Sequence, residues 1–222
     1  MYLKWHEQTI TDFSASNVNS LYNRGYLFTR KGRGVMNQTR SIRIDFDRFK
    51  LTSENRRIMR KISDFRFQIS DLPLQNYHWS IGKMAKDFYT TKFDKGIFSA
   101  NKIKELLTTK HNFNMLLKYS DIKILDIGYC VCYQNKEILH YSYPFYRISN
   151  ISNIQYPNIG LGMMLKAIVY AKDNGKKYVY LGSAQRPTDT YKLQFEGLEW
   201  FDGKEWSEDL EGLKRVLGDR ER

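Results

Sequence analysis

Residues 157–182 constrain the fold more than any other part of the sequence, because a glycine-spaced turn, an amphipathic pattern and a strand pattern follow one another there. Met164, Ile168 and Ala171 recur at spacings of four and three, which is the period of one apolar helix face. Gly175 stands where a helix end favours a residue that tolerates positive φ, and a strand-like run follows it. The order predicts a helix that connects two strands.

The predicted start of this helix contains Gly160 and Gly162, with Met163 next to them. The first N–H groups of a helix have no acceptor inside the helix, and the helix dipole favours negative charge near them. We therefore expect the N–H groups of these three residues to face a phosphate or a developing oxyanion. An ordinary turn of a β–α–β unit would explain the two glycines without any ligand.

Size and apolar content indicate a folded protein outside the membrane. The chain has 222 residues, of which 41% are hydrophobic and 15% aromatic, and these values suit one large domain or two small ones. It has no run of about 18 apolar residues, the minimum for a membrane-spanning helix. Its N-terminus also lacks the pattern of a secretion signal. We therefore expect a cytoplasmic protein with no membrane partner.

The two cysteines, Cys130 and Cys132, are one residue apart on a predicted strand. A disulfide between such residues would be strained, and no further cysteine or histidine cluster accompanies them as a metal site would require. We expect reduced thiols in the core and no metal.

The charge of the chain points to a polyanion partner. The formal net charge is +12, and a field of that sign attracts nucleic acid without regard to sequence. The Lys, Asn, Ile and Tyr bias of an AT-rich genome is a second explanation. It accounts less well for the arginines at residues 24–43 and 56–60.

Periodicity and turn signals predict a mixed α+β (mixed α/β) fold in two parts, a smaller basic α+β part at residues 1–73 and a larger part at residues 74–222. Alternating and β-branched runs predict strands at 41–46, 65–69, 113–119, 122–133 and 137–146, and an aromatic hairpin at 200–206. Helices are predicted at 14–26, 52–62, 81–93, 99–108 and 188–195. Ser207 is predicted to cap a last helix.

The order Gly-x-Gly, helix, Gly, strand, Tyr-Leu-Gly resembles the core motif of the GNAT-like acyltransferase fold. That fold usually carries a basic residue or glutamine where this chain has Pro157. The resemblance implies that residues 74–222 adopt this fold, and a FemX-like arrangement of two such folds is a further expectation.

Residues 41–62 resemble a segment of the arginyl-tRNA–protein transferase family, which includes the bacterial aspartate/glutamate leucyltransferases. The matching residues are Ile42, Arg43, Ile44, Phe49, Thr52, Arg56 and Arg57. The aromatic run at 143–146, Tyr-Leu-Gly at 180–182 and the pair Tyr191-Lys192 also resemble the family, in the same order.

The chain departs from that family in three places. Members commonly carry a cysteine cluster near the positions of Arg33, Met36 and Thr39, and no cysteine is present here. The loop after Tyr-Leu-Gly is shorter than usual, and Glu196-Gly197 replaces the family's proline. Because the cysteines are missing, we do not expect this chain to bind the metal of the family. Because the loop differs, its choice of donor amino acid or acceptor can differ from that of the family.

The resemblance implies transfer of arginine or leucine from charged tRNA to the N-terminal amine of a protein or peptide, at an acidic residue, which creates an N-degron. The partners would be an aminoacyl-tRNA and an acceptor N-terminus, with no cofactor beyond the charged tRNA. The donor ester is already activated, so the enzyme needs no nucleophile. It must position two substrates, stabilise an oxyanion and manage two protons.

Each candidate site residue has a functional and a structural interpretation. Arg56, Arg57 and Lys192 would contact the tRNA, and Arg43 would meet the acidic acceptor. A solvated helix face and a strand-face salt bridge are the structural alternatives for these arginines. Tyr146 and Tyr191 are predicted to offer hydroxyl groups to the leaving ribose or the carbonyl. Asp126 and Glu196 are predicted to offer a carboxylate that accepts the amine proton. Core or rim packing would equally explain the tyrosines.

Two other functions remain open from the sequence. The first is an acyl-CoA-dependent N-acetyltransferase of the GNAT type, in which the Gly-x-Gly turn would hold the pyrophosphate of acetyl-CoA. The second is a relative that binds tRNA or protein without catalysis.

Overall fold

The structure is a computed structural model that describes residues 3–93, 96–121, 126–148 and 158–218. Its α-helices are α1 (Ala15–Asn23), α2 (Ser53–Lys61), α3 (Trp79–Lys92), α4 (Ala100–Thr108), α5 (Ile159–Asp173) and α6 (Leu210–Gly218), and Pro187–Gln194 forms a 3-10 helix. The strands are β1 (His6–Thr9), β2 (Tyr26–Phe28), β3 (Val35–Gln38), β4 (Ser41–Asp45), β5 (Arg66–Asp71), β6 (Met115–Ser120), β7 (Gly128–Gln134), β8 (Ile138–Tyr146), β9 (Tyr178–Ser183), β10 (Leu198–Phe201) and β11 (Trp206–Ser207). Pro157 and the predicted strand residues 122–125 lie outside the described residues.

Two sheets organise these strands. A small sheet has the order β1-β3-β2, and a mixed sheet of eight strands has the order β11-β10-β4-β9-β8-β7-β6-β5. Strands β8 and β9 are parallel and α5 connects them, whereas β5, β6 and β7 pair antiparallel. The predicted mixed α+β class is confirmed, and the antiparallel strands followed by a β–α–β connection give the GNAT-like core expected from the sequence.

The chain divides into two compact units that interleave along the sequence. The first unit comprises Met1–Thr52, Gln134–His140 and Ala171–Arg222, and the second comprises Ser53–Tyr133 and Tyr141–Tyr170. Each unit is a group of residues packed together rather than one continuous segment. The division into residues 1–73 and 74–222 stays a prediction.

The core of the first unit is aromatic. Tyr22 on α1 is fully buried, and its ring centroid lies 4.8 Å from that of Tyr180 on β9. The hydroxyl of Tyr22 also forms a 2.9 Å hydrogen bond with Nδ1 of His140 on β8. Ile42 and Ile44 on β4 are fully buried as well. Aromatic packing and one buried hydrogen bond therefore join α1 to the sheet.

The core of the second unit consists of the antiparallel strands and the first three turns of α5. Cys130 and Cys132 are buried free thiols on β7, as predicted. The hydroxyl of Tyr119 on β6 donates to the backbone carbonyl of Met163 over 2.9 Å. On α5, the buried apolar side chains are Ile159, Met163, Met164, Leu165, Ala167, Ile168 and Ala171. This helix is therefore buried on more than the one face that its apolar period predicts.

The structure differs from the predicted helices in three details. Gly160 and Gly162 lie in the first turn of α5 as expected, but the Gly162 N–H is not a free donor, because it donates to the Asn158 carbonyl over 2.9 Å. The predicted helix at 188–195 is a 3-10 helix. The last helix is capped by Asp209, which accepts from the Gly212 N–H over 2.8 Å, whereas Ser207 lies on β11.

Candidate functional site

The first turn of α5, in the second unit, carries the N–H groups predicted to bind an anion. Asn158 has φ +70°, a conformation that asparagine tolerates better than most residues, and the helix begins directly after it. The N–H groups of Ile159, Gly160 and Leu161 have no carbonyl of the same helix to donate to. The Gly162 N–H is bonded to Asn158, so the donors lie slightly earlier than the sequence predicted.

Tyr146, at the end of β8, lies beside this turn. A Cβ built on Gly160 would be 3.1 Å from Cε1 and 3.6 Å from the hydroxyl oxygen of Tyr146. The Phe88 ring packs edge-on against the tyrosine ring, with 4.6 Å between centroids. Burial raises the pKa of Tyr146, so its phenol is neutral near pH 7. The absence of a side chain at residue 160 brings a hydroxyl donor next to the helix N-terminus.

Helix α2 leads to the same turn of α5. Ile62, directly after α2, would lie 3.0 Å from a Cβ on Gly162, so glycine is what permits the close packing. Three residues later, the Phe65 carbonyl accepts from Nζ of Lys166 over 2.7 Å. Met163 is fully buried, and its backbone carbonyl accepts the hydrogen bond from the Tyr119 hydroxyl. Ile62 is not among the predicted site residues. Its only signal in the sequence is the i, i+4 spacing from Ile58, which places both on the buried face of the helix.

The basic residues of α2 lie on its exposed side. Arg57 forms an exposed ion pair with Glu54, and Arg56 donates to the Ser53 hydroxyl over 3.3 Å. Arg60 and Lys61 are also exposed. Exposed ion pairs contribute little to stability, on the order of 0–1 kcal/mol, so exchanging the Arg57–Glu54 pair for an anionic partner would cost little. Their contact with tRNA stays a prediction.

Asp126, also in the second unit, is held by its neighbours. Its carboxylate forms a 2.7 Å ion pair with Lys118 and accepts a 2.7 Å hydrogen bond from the Tyr129 hydroxyl. Burial, followed by this hydrogen bond, raises the pKa of Tyr129, which therefore stays a donor. Nε of Arg147 donates to the backbone carbonyl of Asp126 over 3.5 Å. A proton-accepting role for Asp126 would require it to exchange one of these partners.

Tyr191, Lys192 and Glu196 belong to the first unit. Tyr191 is 46% exposed on the 3-10 helix. Lys192 donates from Nζ to the Ser183 carbonyl over 3.1 Å, and burial lowers the pKa of its ammonium group. Glu196 is exposed and lines a surface groove of about 500 Å³ together with Arg48. The catalytic roles predicted for Tyr191 and Glu196 and the tRNA contact predicted for Lys192 stay predictions.

Arg43, predicted to bind the acceptor, has its guanidinium occupied inside the first unit. The residue is 7% exposed, and its Nε donates to Glu199 over 2.7 Å in an ion pair that the sequence analysis did not anticipate. Its remaining partners are the side chains of Asn23 (3.1 Å) and Tyr180 (3.4 Å) and the ring centroids of Tyr178 (4.0 Å) and Trp206 (3.9 Å). This geometry is that of the strand-face salt bridge that we considered as the alternative.

The candidate residues therefore fall into two sets. The set in the second unit is Gly160, Gly162, Met163, Tyr146, Asp126, Arg56 and Arg57, and the set in the first unit is Arg43, Tyr191, Lys192 and Glu196. The described residues include no group of three or more histidines, cysteines or carboxylates arranged to hold a metal ion. Within the same ranges, no helix combines the length and apolar character needed to cross a membrane.

No known protein family matches the sequence, and no curated protein matches it. Solved structures with similar folds include L-PGS from Bacillus licheniformis, with a TM-score of 0.48 and 12% identity over 92% of this chain and 70% of that chain. Another is the C-terminal domain (DUF2156) assigned to a lysylphosphatidylglycerol synthetase from Agrobacterium fabrum, with a TM-score of 0.45 and 11% identity over 81% and 55% of the two chains. A third is a GNAT family acetyltransferase from Elizabethkingia anophelis with acetyl-CoA bound, with a TM-score of 0.34 and 17% identity over 57% and 71%.

These similar structures include acyltransferases. Because all three TM-scores lie below 0.5, the similarity does not assign their activities to this chain. The chain spans about half the length of the second structure. None of the three is an arginyl- or leucyl-transferase, and the resemblance to that family stays a prediction.

Proposed function

We propose that this protein is an acyltransferase that moves an amino acid from charged tRNA to the N-terminal amine of a protein or peptide. One observation carries the proposal. The first turn of α5, whose first N–H groups have no acceptor within the helix, has the Tyr146 hydroxyl beside it and packs through Gly162 onto Ile62 at the end of the basic helix α2. An oxyanion-binding corner and a polyanion-binding helix are thus parts of the same unit.

The reaction proposed at this corner is the aminolysis of an ester. The amine nitrogen attacks the carbonyl carbon of the aminoacyl ester, and negative charge develops on the carbonyl oxygen. Backbone N–H groups of residues 159–161 stabilise this oxyanion, a type of interaction for which one donor contributes about 2.7–4 kcal/mol. The bond to the ribose oxygen then breaks and an amide remains.

Two protons must move in this reaction. The leaving ribose oxygen needs one, and Tyr146 supplies it, since its raised pKa keeps the phenol protonated at neutral pH. The attacking amine must release one, and we assign its acceptance to Asp126, the candidate carboxylate of the same unit. Positioned proton transfer typically contributes about 10²–10⁴-fold to the rate. Asp126→Asn should therefore slow transfer by a factor in this range, and Glu196→Gln is the matched change of the other candidate carboxylate.

The cations of α2 supply the affinity for tRNA in this proposal. Exchange of Arg56 and Arg57 for glutamine removes two phosphate contacts and is expected to reduce the slope of log affinity against log salt by about 1.4–1.8. A matched control is the double change of Lys50 and Lys204 to glutamine, which removes the same charge from other exposed positions. Equal effects of the two double variants would contradict a role for α2.

The direct test measures transfer of label. Purified protein is incubated with radiolabelled Arg-tRNA or Leu-tRNA, or with labelled acetyl-CoA, and with peptides that begin with Asp, Glu or Lys. Transfer from a charged tRNA to a peptide with an acidic N-terminus is the expected result and would make the protein an N-degron enzyme. Transfer from acetyl-CoA alone would replace the proposal by an N-acetyltransferase. Salt-dependent tRNA binding without transfer to any peptide would make the protein a non-catalytic binder.

A further inference from the structure

A second surface of the second unit has the chemistry of a ligand site. Helices α3 and α4 border a groove of about 370 Å³, which falls in the range of roughly 300–1,000 Å³ found for small-molecule pockets. Among the described residues, its lining contains no carboxylate and none of the candidate residues at the first turn of α5. The lining residues are Tyr77, Trp79, Lys83, Lys86, Ala100, Asn101 and Lys104.

Trp79 is the unusual member of this lining. It is 65% exposed, the highest exposure among the large hydrophobic side chains that the structure describes. An indole left in water forgoes a large part of the free energy available from burial. Tyr77, in contrast, is half-buried, and Gly82 leaves room for its hydroxyl group. The groove therefore has one packed aromatic wall and one largely exposed indole, whose ring centroid lies 5.6 Å from that of His78.

The three lysines give the groove a positive charge. Lys83 pairs with Asp87 over 2.6 Å, but both side chains are more than half exposed, and such pairs are weak. Lys86 and Lys104 are exposed, and no carboxylate of the described residues lies within ion-pair distance of either. Three ammonium groups around one exposed indole attract an anion that also has an aromatic face.

We propose that this groove binds a single-stranded RNA segment, with a base stacked on Trp79 and the neighbouring phosphates near Lys83, Lys86 and Lys104. Stacking on an aromatic side chain together with a positively charged groove is how proteins bind unpaired nucleic acid without sequence preference. A concave site fits one splayed base, whereas a flat lipid surface would contact a protruding tryptophan. The identification of this RNA with the unpaired part of a donor tRNA rests on the proposed function, but the binding itself does not.

The test is the equilibrium binding of a fluorescein-labelled single-stranded RNA octamer to the full-length protein, followed by fluorescence anisotropy between about 50 and 200 mM salt. Trp79→Ala is expected to weaken binding by about 5- to 150-fold, the range that corresponds to the loss of one stacked base. Trp79→Phe retains an aromatic face and should recover part of that loss. Exchange of Lys83, Lys86 and Lys104 for glutamine should reduce the salt slope by about 2, at about 0.7 for each contact.

Matched controls separate this groove from the general charge of the chain. Trp5 is a second tryptophan with 40% exposure, and Trp5→Ala should leave RNA affinity within about twofold of the wild type. Exchange of Lys50, Lys204 and Lys214 for glutamine removes the same charge from other exposed sites and should change the slope by less than one. Because Trp79 is mostly exposed, its variants should keep the wild-type melting temperature.

Three results would overturn the inference. Equal losses in the groove variants and the controls would mean that binding is diffuse. Equal affinity for an RNA duplex of the same length would exclude stacking of an unpaired base. Binding to vesicles of phosphatidylglycerol and phosphatidylcholine through Trp79, without binding to RNA, would identify a lipid surface as the occupant. The binding measurement contains no acceptor amine, so it is independent of the transfer assay. Loss of RNA binding at the groove in a protein that still transfers label would reject only the groove. RNA binding at the groove in a protein that transfers no label would reject only the proposed function.

Discussion

Replacing Gly160 by alanine is expected to damage catalysis far more than stability. A Cβ at this position would lie 3.1 Å from Cε1 of Tyr146, whereas carbon atoms in favourable contact are about 3.5–4.0 Å apart. The tyrosine ring must therefore move by a few tenths of an ångström or rotate away. Either movement displaces the hydroxyl group from the N–H donors of the first turn of α5.

The stability change at Gly160 is the difference between two opposing terms. Alanine is favoured over glycine inside a helix by about 0.8–1.0 kcal/mol. Displacement of a packed ring costs about 1–3 kcal/mol. The net loss of unfolding free energy is therefore at most about 2 kcal/mol, which lowers the melting temperature of a chain of this size by no more than about 8 °C.

The catalytic change is expected to be larger. A displacement of about 1 Å can cost about 100-fold in rate, so kcat/KM for transfer from charged tRNA should fall by about 10- to 100-fold in Gly160→Ala. The assay is the initial rate of label transfer, with the melting temperature recorded on the same preparations.

Tyr146→Phe is the matched control, because it removes the hydroxyl group without adding a clash. If both variants act through the same phenol, the double variant should be no more than about threefold slower than Tyr146→Phe alone. A Gly160→Ala enzyme with the wild-type rate, or two losses that multiply, would refute the reasoning.

Three further predictions concern buried groups. Arg43→Ala should lower the free energy of unfolding by about 2–4 kcal/mol in urea denaturation, somewhat less than breaking an isolated buried pair, because Arg48 still contacts Glu199; an unchanged midpoint would contradict this. Burial lowers the pKa of His140 to about 3. In the unfolded chain the histidine pKa is near 6.5, so as pH falls the unfolded chain takes up the proton first. Folding stability is therefore lost between about pH 6.5 and 3. Between pH 7 and 5 the wild type should lose about 2 kcal/mol more than His140→Gln, and parallel pH profiles would refute this. Gly162→Asp would put a carboxylate against the apolar side chain of Ile62 and should destabilise the fold by more than about 3 kcal/mol in the same assay, whereas a wild-type midpoint would show that this contact is loose.

Most elements could be predicted because their signals are local. Helix α4, predicted at residues 99–108, is an example: Ser99 accepts a 3.1 Å hydrogen bond from the Lys102 N–H, as a serine at a helix start often does. Ile103 and Leu106 then recur on one face, and both are fully buried. Gly175 ends α5 with φ +66°, as the sequence predicted. Caps, helix periods and glycine ends are all contained within a few consecutive residues.

The sequence indicated where α5 starts but not why its glycines are there, because that reason is tertiary. Read locally, Gly160 and Gly162 indicate a turn that opens the helix. In the structure they lie inside the first turn, where Ile62 and Tyr146 approach too closely for a side chain. A contact with a residue 100 positions away leaves no trace in the local pattern.

Arg43 shows the same limit for the candidate site. Its place in a segment that resembles the transferase family implied a role in binding the acceptor. Its partner Glu199 lies 156 residues further along the chain, and nothing in the sequence links the two. The exposed cations of α2 could be predicted more easily, because an exposed helix face depends only on the helix period.

Hydrogen exchange tests the central claim of this account most directly. The backbone amides of residues 159–161 should be measured with and without a tRNA that carries its amino acid through a stable amide link. We predict slower exchange at these amides and across α2, with protection that decreases as salt increases. Unchanged exchange at the first turn of α5, at a tRNA concentration that saturates the protein, would contradict the claim.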